Sequence, residues 1–386
     1  MKFIHTSDWH LGHQLYNYDR SEEFAEMLEQ IINIVADEKA DALLVSGDVF
    51  HSSVPSLSAQ RMFADAVMSL RRRCPDTAVI ITAGNHDSAS RHEIFAEPWR
   101  ELGVTMIGHI GSGDIDEILD RLIIRLPKGF VAAVPYCNER MMPDGLFEAL
   151  SQRITELNND RLPSVLMAHT AVSGCDATGH KEDGRNVGGI DAIDAERLAA
   201  DFDYVALGHI HRPQVINNTD GRLRYSGTPL AVSFDEEYEH SVTVVSLATH
   251  GAEPEVHTVS VTQPRPLVTL PVGAPRPLEE VLSIFKRYPD SLPSYIRLNV
   301  LVDSFLPPDA TNKARIIADQ KQCRFCIINQ IRSDSSGVSG QIPLTVEEFR
   351  NLEPVEIVSR YAESTGINFS DDMRTLFDEV LQSLNT

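Results

Sequence analysis

The sequence is short of the features that mark secreted, disulfide-linked and membrane proteins. Its 386 residues include five cysteines, an odd number at scattered positions, which predicts reduced thiols rather than a disulfide framework. The first residues, Met1 to His5, lack the apolar stretch of a secretory signal, and no apolar run approaches the roughly 20 residues that cross a bilayer. These absences lead us to expect a cytoplasmic protein.

The chain also lacks the signatures of three common catalytic classes. It contains no GxxxxGK[ST] phosphate loop, no GxSxG nucleophile elbow and no HExxH metal-binding helix. Cys323 and Cys326 form a CxxC pair, but no second pair completes the four ligands of a structural zinc site. The alternation of Cys323, Phe325 and Ile327 with Arg324 predicts a half-buried strand there instead.

Basic residues are scarce overall, but not along the whole chain. With 34 Lys and Arg against 56 Asp and Glu, the formal net charge is −22, which by itself argues against a nucleic-acid-binding protein. Residues 1–262 carry 21 basic and 40 acidic side chains and residues 341–386 carry 3 and 9, whereas residues 263–340 carry 10 and 7. Residues 263–340, which we call the basic module, are therefore the one positive segment.

Short apolar runs within residues 1–262 predict a layered α/β core. Five of them lead directly into polar residues and are expected to be buried strands of a sheet: Phe3-Ile4, Ala42 to Val45, Val79 to Ile81, Val165 to Met167 and Tyr204 to Leu207. Apolar residues at helical spacing separate the first three runs, at Phe24 to Val35 and Phe63 to Leu70. Beyond residue 222 three alternating segments predict further strands: Arg222 to Ser226, Ser241 to Leu247 and Val256 to Val261. In α/β sheets, ligands gather beyond the carboxyl ends of the strands.

Composition predicts a domain boundary after residue 262. Residues 263–277 contain five prolines and form either a linker or a proline-broken strand. The rest of the basic module predicts a small α+β unit, with a helix at Leu278 to Arg287, a strand at Ile296 to Val302, a helix after Pro308 and a strand at Phe325 to Ile331. Residues 333–340 have the composition of a flexible tether. Residues 341–386, the tail, predict two amphipathic helices whose apolar faces need a covering surface.

Oxygen and nitrogen ligands follow the five predicted core strands, at Asp8, His10, Asp48, Asn85, His169, His209 and His211. Because side chains two residues apart point to one face of an extended chain, Asp8 and His10 should converge on one ion, and His209 and His211 repeat the same two-apart spacing. A lone pair of this kind is often incidental, whereas five clusters at strand ends predict a single site. The set suits two Mn²⁺ ions or a similar divalent cation, which would activate water and neutralise phosphate charge.

His86 lies beside the predicted ligand Asn85, and we expect it to have a different role. It is better placed to act on the leaving oxygen or the phosphoryl oxygens than to bind metal, and Asp87 is expected to orient it. Gly47 lets the backbone turn just before Asp48, whose two carboxylate oxygens can bridge two cations. The residues thus predict metal-dependent hydrolysis at phosphorus.

The order D-x-H, G-D, G-N-H-D, H and G-H-x-H resembles that of the calcineurin-like metallophosphoesterase family. Longer matches are similar to one branch of that family, the nuclease subunits of bacterial SbcCD-type DNA-repair and recombination complexes. These matches are Thr6 to Gly12, Gly47 to His51, Gly208 to Pro213 and Tyr225 to Pro229. The resemblance covers the core domain well and the remainder mainly in layout.

The resemblance implies a fold and a role for each matched residue. The fold is a layered metallophosphoesterase β-sandwich flanked by helices, with a small α+β capping domain in residues 263–340 and a helical tail. One metal is then held by Asp8, His10, Asp48 and His211, and the other by Asp48, Asn85, His169 and His209. His86 becomes the catalytic histidine. His51 matches a position that helps to place the DNA strand, and support of a neighbouring ligand is its alternative role.

Two features favour a phosphodiester over a phosphomonoester substrate. Protein phosphatases of this superfamily read G-D-x-x-D-R-G, whose arginine binds a terminal phosphate, whereas residues 47–53 here read GDVFHSS. The basic module also supplies candidate DNA contacts: Arg297, Lys313, Arg315, Lys321, Arg324 and Arg332. An ordinary solvated surface is the alternative interpretation of these charges.

The leading hypothesis is a Mn²⁺-dependent nuclease at the nucleoid, an exonuclease on duplex ends and an endonuclease on hairpins and single strands. The resemblance implies that the tail docks on an SbcC-type ATPase subunit, and packing of the tail on its own domain is the alternative. It also implies a homodimer within a heterotetramer, formed through helices near Ser58 to Leu70 and Arg91 to Leu102. A cyclic-nucleotide phosphodiesterase is the alternative enzyme, and a metal-free binding scaffold is a third hypothesis.

Overall fold

The computed structural model describes residues 1–137, 142–178, 192–199, 201–216, 219, 221–303 and 305–332, together with residues 373, 374 and 377. The chain divides into two compact units, one of Met1–Val300 with Leu306–Ile331 and one of Leu301–Phe305 with Arg332–Thr386. Apart from residues 373, 374 and 377, the predicted tail helices lie outside the described residues. Among those residues, no helix is both long enough and apolar enough to span a membrane.

Strands and helices alternate along the described part of the chain. The strands are β1 (Lys2–Thr6), β2 (Ala42–Ser46), β3 (Ala78–Thr82), β4 (Val104–Ile107), β5 (Ile123–Leu126), β6 (Gly129–Val134), β7 (Ser164–His169), β8 (Tyr204–Gly208), β9 (Gln214–Val215), β10 (Leu223–Tyr225), β11 (Ser241–Ser246), β12 (Glu255–Ser260), β13 (Leu267–Leu270), β14 (Tyr295–Val302) and β15 (Arg324–Arg332). The helices are α1 (Ser21–Glu38), α2 (Leu57–Arg73), α3 (Ala89–Ile94), α4 (Ala96–Glu101), α5 (Ile115–Leu122), α6 (Leu146–Leu157), α7 (Ala195–Ala199), α8 (Leu278–Arg287) and α9 (Ala310–Ala318).

Two six-stranded sheets form the centre of the first unit. Their strand orders are β12-β11-β1-β2-β3-β4 and β5-β6-β7-β8-β10-β9. Alternation along β1 shows how they stack: Phe3 packs into the core shared with the second sheet, and Ile4 packs into the core formed with α1 and α2. The predicted layered β-sandwich flanked by helices is confirmed.

The five predicted core strands are present as β1, β2, β3, β7 and β8. They do not share one sheet, because β1 to β3 belong to the first sheet and β7 and β8 to the second. An apolar run buried on both faces looks the same in either sheet, so the run itself does not reveal its partner. The three strands predicted beyond residue 222 are also present, as β10, β11 and β12.

The described part of the basic module forms a third sheet, in the order β13-β14-β15, with α8 and α9 packed against each other. Helix α8 has the predicted bounds, and β13 lies within the proline-rich segment, which therefore contains a strand. Cys323 and Phe325 are buried as predicted, but Ile327 is 37% exposed, so its predicted burial is wrong. Only the first residues of β15 reach the buried side of this sheet.

Candidate active site

The predicted ligands meet at one end of the sandwich, beyond the carboxyl ends of strands from both sheets. The loops after β1 and β2 run side by side, because the amides of Asp8 and His10 donate to the carbonyls of Gly47 and Asp48, each at 3.0 Å. The loops after β7 and β8 approach from the second sheet. Parallel strands in both sheets thus deliver polar side chains to a single place, as the sequence predicted.

One group of ligand atoms comes from Asp8, His10 and His211, which are buried and lie within 4.8 Å of one another. The Nε2 atoms of His10 and His211 are 3.1 Å apart. Two imidazole nitrogens at this distance require either a shared proton or a cation bound by both. This geometry fits the donor set of a divalent metal site.

A second group comes from Asp8, Asp48 and His169, also within 4.8 Å of one another. The Oδ2 atom of Asp48 lies 3.4 Å from His169 Nε2 and 3.8 Å from His10 Nε2, so this carboxylate stands between the two groups. The Oδ1 atom of Asn85 joins the second group, 3.0 Å from His169 Nε2 and 3.1 Å from His209 Nδ1. All seven predicted ligands are therefore brought together.

The backbone at this site adopts conformations that side chains rarely tolerate. Four of the seven residues have positive φ angles: Asp8 (54°), His10 (46°), Asp48 (50°) and His209 (99°). Each such conformation costs on the order of 1–3 kcal/mol and persists only where the surroundings enforce it. Gly84 is needed for a different reason, since a Cβ atom there would lie 2.1 Å from Asp48 Oδ1. The strained backbone at these four residues orients their side chains toward the site.

The electrostatics of the site favour a bound cation. Burial and the neighbouring imidazoles, His211 first among them, lower the pKa of His10 well below its usual value and keep its lone pairs available. Burial would also lower the pKa of His169, but the carboxylate of Asp48 outweighs it and raises that pKa to about 9. His169 without metal therefore holds a proton between carboxylates. A divalent cation would take the place of that positive charge.

Hydrogen bonds around the site fix the orientation of two histidines. The Nδ1–H of His169 donates to the carbonyl of Ser46 at 2.8 Å, which leaves its Nε2 toward Asp48. The Nδ1 atom of His211 contacts Glu236 Oε1 at 2.9 Å, and the Glu236 side chain is fully buried. Such partners set the tautomer and orientation of metal-binding histidines. Sequence reasoning missed Glu236, because no periodicity or spacing separates it from the acidic residues beside it.

Asp87, which was expected to orient His86, accepts hydrogen bonds from backbone amides with both of its carboxylate oxygens. Its carboxylate accepts from the amides of Val49 (3.1 Å), Phe50 (2.9 Å) and Gly84 (2.9 Å). It thereby ties the loop after β2 to the loop that carries Asn85 and His86. Asp87 positions that loop as a whole, so the expectation of a direct role on the imidazole is corrected.

His86 and His51 form an aromatic cluster next to the ligands. The Nδ1–H of His86 donates to the carbonyl of His51 at 3.1 Å, and the His86 amide donates to Asp48 Oδ1 at 2.9 Å. The ring of His86 lies 5.7 Å from that of His51 and 4.9 Å from that of His10. Sequence reasoning also missed the buried His13, whose ring packs 4.7 Å from that of His51.

The structure places several of the predicted DNA-contacting cations in internal contacts. The side chain of Arg297 is 14% exposed, and its guanidinium pairs with Asp235 at 2.6 Å. The side chain of Lys321 is 4% exposed, and its ammonium group pairs with Asp290 and donates to the carbonyl of Tyr288. These two charges are already neutralised within the protein, so the expectation of DNA contact is not supported for them.

The other four predicted cations differ in their surroundings. Lys313 pairs with Glu279 and Asp309, and Arg324 donates to the carbonyl of Asp19 at 3.0 Å. The side chains of Arg315 and Arg332 are exposed, and Arg332 belongs to the second unit. Arg315 and Lys313, whose side chain is 43% exposed, are thus the cations of the first unit that remain for the predicted contact.

Residues 1–213 match the calcineurin-like phosphoesterase family. The chain is 33% identical over 311 residues to SbcD, the D component of the nuclease SbcCD, of Rhodobacter capsulatus, covering 74% of this chain and 76% of the relative. It is 34% identical over 289 residues to SbcD of Bacillus subtilis, covering 69% and 71%. It is 24% identical over 408 residues to SbcD of Escherichia coli K12, covering 100% and 98%. The likeness therefore extends beyond residue 213 into the basic module and the tail.

Proposed function

The chain belongs to the calcineurin-like phosphoesterase family, and from this premise we propose that it hydrolyses DNA as the nuclease subunit of an SbcCD-type complex. Members of this family bind divalent metal and hydrolyse phosphoesters, and the relatives at 33% and 34% identity are nuclease components by name. The observation that carries the proposal is that seven oxygen- and nitrogen-bearing side chains meet at the ends of five strands. DNA is the substrate that we assign to that site.

The residues proposed to hold the metals are Asp8, His10, Asp48 and His211 for one ion, and Asp48, Asn85, His169 and His209 for the other. Two divalent cations, which we propose to be Mn²⁺, would when bound supply acidity to a water molecule and neutralise charge on the phosphate. The proposal of Asp48 as the shared ligand is supported by its Oδ2 atom, which lies 3.8 Å from His10 Nε2 and 3.4 Å from His169 Nε2.

His86 is proposed to exchange a proton with the substrate. Because its Nδ1–H donates to the carbonyl of His51, Nε2 is the ring nitrogen on which a transferable proton would sit. His86 is half-buried beside the ligands, so this nitrogen can meet a phosphoryl or leaving oxygen. A histidine in this position supports general acid catalysis of P–O cleavage.

A diester substrate is supported by what stands near the ligands. His51, and not the arginine of the phosphatase motif, lies 5.6 Å from the ring of His10. Without the fixed positive charge of that arginine, residues 47–53 suit the single negative charge of a diester better than the two charges of a terminal phosphate. We therefore propose exonuclease activity on duplex ends and endonuclease activity on hairpins and single strands, with Arg315 as a phosphate contact.

The subunit organisation is also a proposal. The tail, residues 341–386, is proposed to dock on an SbcC-type ATPase, and residues 1–262 and 263–340 are proposed as the nuclease and capping domains. Homodimer formation through α2, α3 and α4 is supported by exposed apolar side chains there, with Ile94 63% and Phe95 59% exposed. A cavity of about 310 Å³ lined by Phe63 and Trp99 lies beside them. The working complex would act on chromosomal DNA in the cytoplasm.

A substrate panel tests the proposed function. The purified chain with Mn²⁺ is offered a blunt duplex, a DNA hairpin and cyclic AMP, each with and without a chelator. We expect metal-dependent cleavage of both DNA substrates and none of the cyclic nucleotide. Cleavage of cyclic AMP alone would overturn the nuclease assignment while leaving the metal site intact.

A further inference from the structure

Residues 231–236 form a turn that lies between the core and the third sheet. The carbonyl of Ala231 accepts from the guanidinium of Arg20 at 2.7 Å, which anchors the start of the turn to the core. Within the turn, the amide of Glu236 donates to the carbonyl of Ser233 at 3.2 Å, and the amide of Val232 donates to Glu236 Oε2 at 3.2 Å. These two hydrogen bonds close the turn on itself.

Arg297 on β14 holds the outer side of this turn. Its Nη1 donates to Asp235 Oδ1 at 2.6 Å and its Nη2 to the carbonyl of Phe234 at 3.2 Å, while its Nε donates to Thr269 on β13 at 3.1 Å. The guanidinium also lies 5.2 Å above the ring of Phe234. A planar guanidinium held at all three nitrogens has little freedom, so the position of residues 234–235 follows that of β14.

Glu236 connects the same turn to the candidate metal site. It directly follows Asp235, its side chain is fully buried, and its Oε1 lies 2.9 Å from Nδ1 of His211. The Nε2 of His211 faces the other ligands, 3.1 Å from that of His10. A displacement of the turn would therefore rotate the ring of His211 away from its partners.

We propose that Arg297 and Asp235 are positioning residues that, through Glu236, set the orientation of His211 and so tie cation affinity to the placement of β14. The charge of Arg297 thus serves the metal site from the third sheet, and not the DNA backbone. This inference rests on the proposed role of His211 as a metal ligand. It adds a route by which movement of the third sheet weakens one cation site.

Arg324 provides a matched control, because it also joins the third sheet to the core. It lies on β15 and donates to the carbonyl of Asp19 at 3.0 Å and to the hydroxyl of Tyr295 at 2.7 Å. Its ion-pair partner in the core is Glu23, at 3.6 Å. These three contacts lie outside residues 231–236. Arg20 keeps its own contacts with Glu23 and with the carbonyl of Ala231 when Arg324 is replaced, so loss of Arg324 should loosen the same sheet without releasing Glu236.

The test is calorimetric titration of the full-length, metal-stripped chain with Mn²⁺, for the wild type and four variants. Partners of metal-binding histidines typically change metal affinity by about 10- to 100-fold, so we expect Arg297→Gln and Glu236→Gln each to weaken the affected site at least about 10-fold. Because both act on one histidine, the double variant should lose less than about 2-fold more than Glu236→Gln alone. Arg324→Gln should leave Mn²⁺ affinity within about 2-fold of the wild type.

Equal Mn²⁺ affinity in Arg297→Gln and the wild type would overturn the proposal, as would equal weakening by Arg297→Gln and Arg324→Gln. If Arg297→Gln does not fold by circular dichroism, Asp235→Asn removes the same ion pair without removing the guanidinium, and the same weakening is expected. The titration reads metal binding and not cleavage. Absence of DNA cleavage by the wild type would therefore refute the proposed function alone.

Discussion

Replacing Asp87 by asparagine should damage the metal site from outside it. The Oδ2 atom of Asp87 accepts from the amides of Val49 and Gly84, and Oδ1 accepts from the amide of Phe50 and lies 3.4 Å from Nε2 of His92. Asparagine has one oxygen where aspartate has two. Whichever way its amide group is turned, at least one buried backbone amide then faces an NH₂ group.

The magnitude follows from this count of hydrogen bonds. If the one remaining oxygen still accepts the hydrogen bonds from the Val49 and Gly84 amides, the Phe50 amide loses its acceptor. The loss costs about 1–3 kcal/mol for a buried donor. The two bonds that remain lose their charge assistance, which adds about 1 kcal/mol. We expect Asp87→Asn to lower the free energy of unfolding by about 2–4 kcal/mol. Because the freed loops carry Asp48 and Asn85, Mn²⁺ affinity should also fall, by about 10-fold or more.

Asp203→Asn is the matched control for this prediction. Asp203 is 4% exposed and accepts from the amides of Ser164 and Gly251, both at 2.7 Å. It lies just before β8, at the opposite end of that strand from His209. Urea unfolding and Mn²⁺ calorimetry on both variants should give similar losses of stability but a loss of affinity in Asp87→Asn only. Equal affinity in the two variants would refute the claim that Asp87 holds the ligand loops.

Three further predictions concern pH, subunit contact and the tail. In the metal-free chain, burial opposes the charge of His169 but Asp48 raises its pKa to about 9, above the usual 6.5, so its stabilising proton is fully present below pH 6.5 and lost toward pH 9. Urea unfolding should therefore show stability falling across that window, and saturating Mn²⁺ should abolish the fall. Phe95→Glu should raise the dimer dissociation constant about 30-fold in sedimentation equilibrium, whereas Val272→Glu, at a site 89% exposed elsewhere, should not. Truncation after Gly340 should abolish capture of an SbcC-type subunit in a pull-down and leave Mn²⁺-dependent cleavage of simple DNA substrates.

A variant or condition that leaves the measured property unchanged would contradict the claim behind that prediction. Stability that does not vary between pH 6.5 and 9 would show that His169 holds no extra proton. An unaltered dimer in Phe95→Glu would move the subunit contact away from α3 and α4. Full capture of the partner by the truncated chain would remove the assignment of the tail.

The meeting of the proposed ligands was predictable because its sequence signal is local. Asp8 and His10, and likewise His209 and His211, are two residues apart at a strand end, and this pattern marks both pairs as members of one site. The spacing does not reveal that the backbone departs from an extended chain, with positive φ angles at Asp8, His10 and His209. Nor does it reveal that His209 lies beside Asn85 while His211 lies beside His10. Short apolar runs in the sequence predicted the positions of the core strands. The bounds of α8 followed in the same way from helical periodicity and flanking prolines.

The supporting residues were not predictable, because their partners are far away in sequence. Glu236 reaches His211 across 25 residues, and Arg297 reaches Asp235 across 62. In the sequence, neither Glu236 nor Arg297 can be distinguished from an ordinary charged residue exposed to solvent. Arg297 was expected on the DNA surface for that reason. The division of the five core strands between two sheets is likewise a matter of long-range pairing, which an apolar run does not encode.

The central claim is that the seven proposed ligands, Asp8, His10, Asp48, Asn85, His169, His209 and His211, hold two cations. DNA is cleaved beside those cations with His86 exchanging a proton with the substrate. The claim is tested most directly by measuring bound Mn²⁺ per chain and cleavage of a blunt duplex in the same samples of wild type, His86→Gln and His257→Gln. His257 is an exposed histidine on β12 and serves as the control. We predict two ions per chain in all three proteins, with cleavage lost in His86→Gln alone. Loss of both ions in His86→Gln, or undiminished cleavage by that variant, would contradict the account.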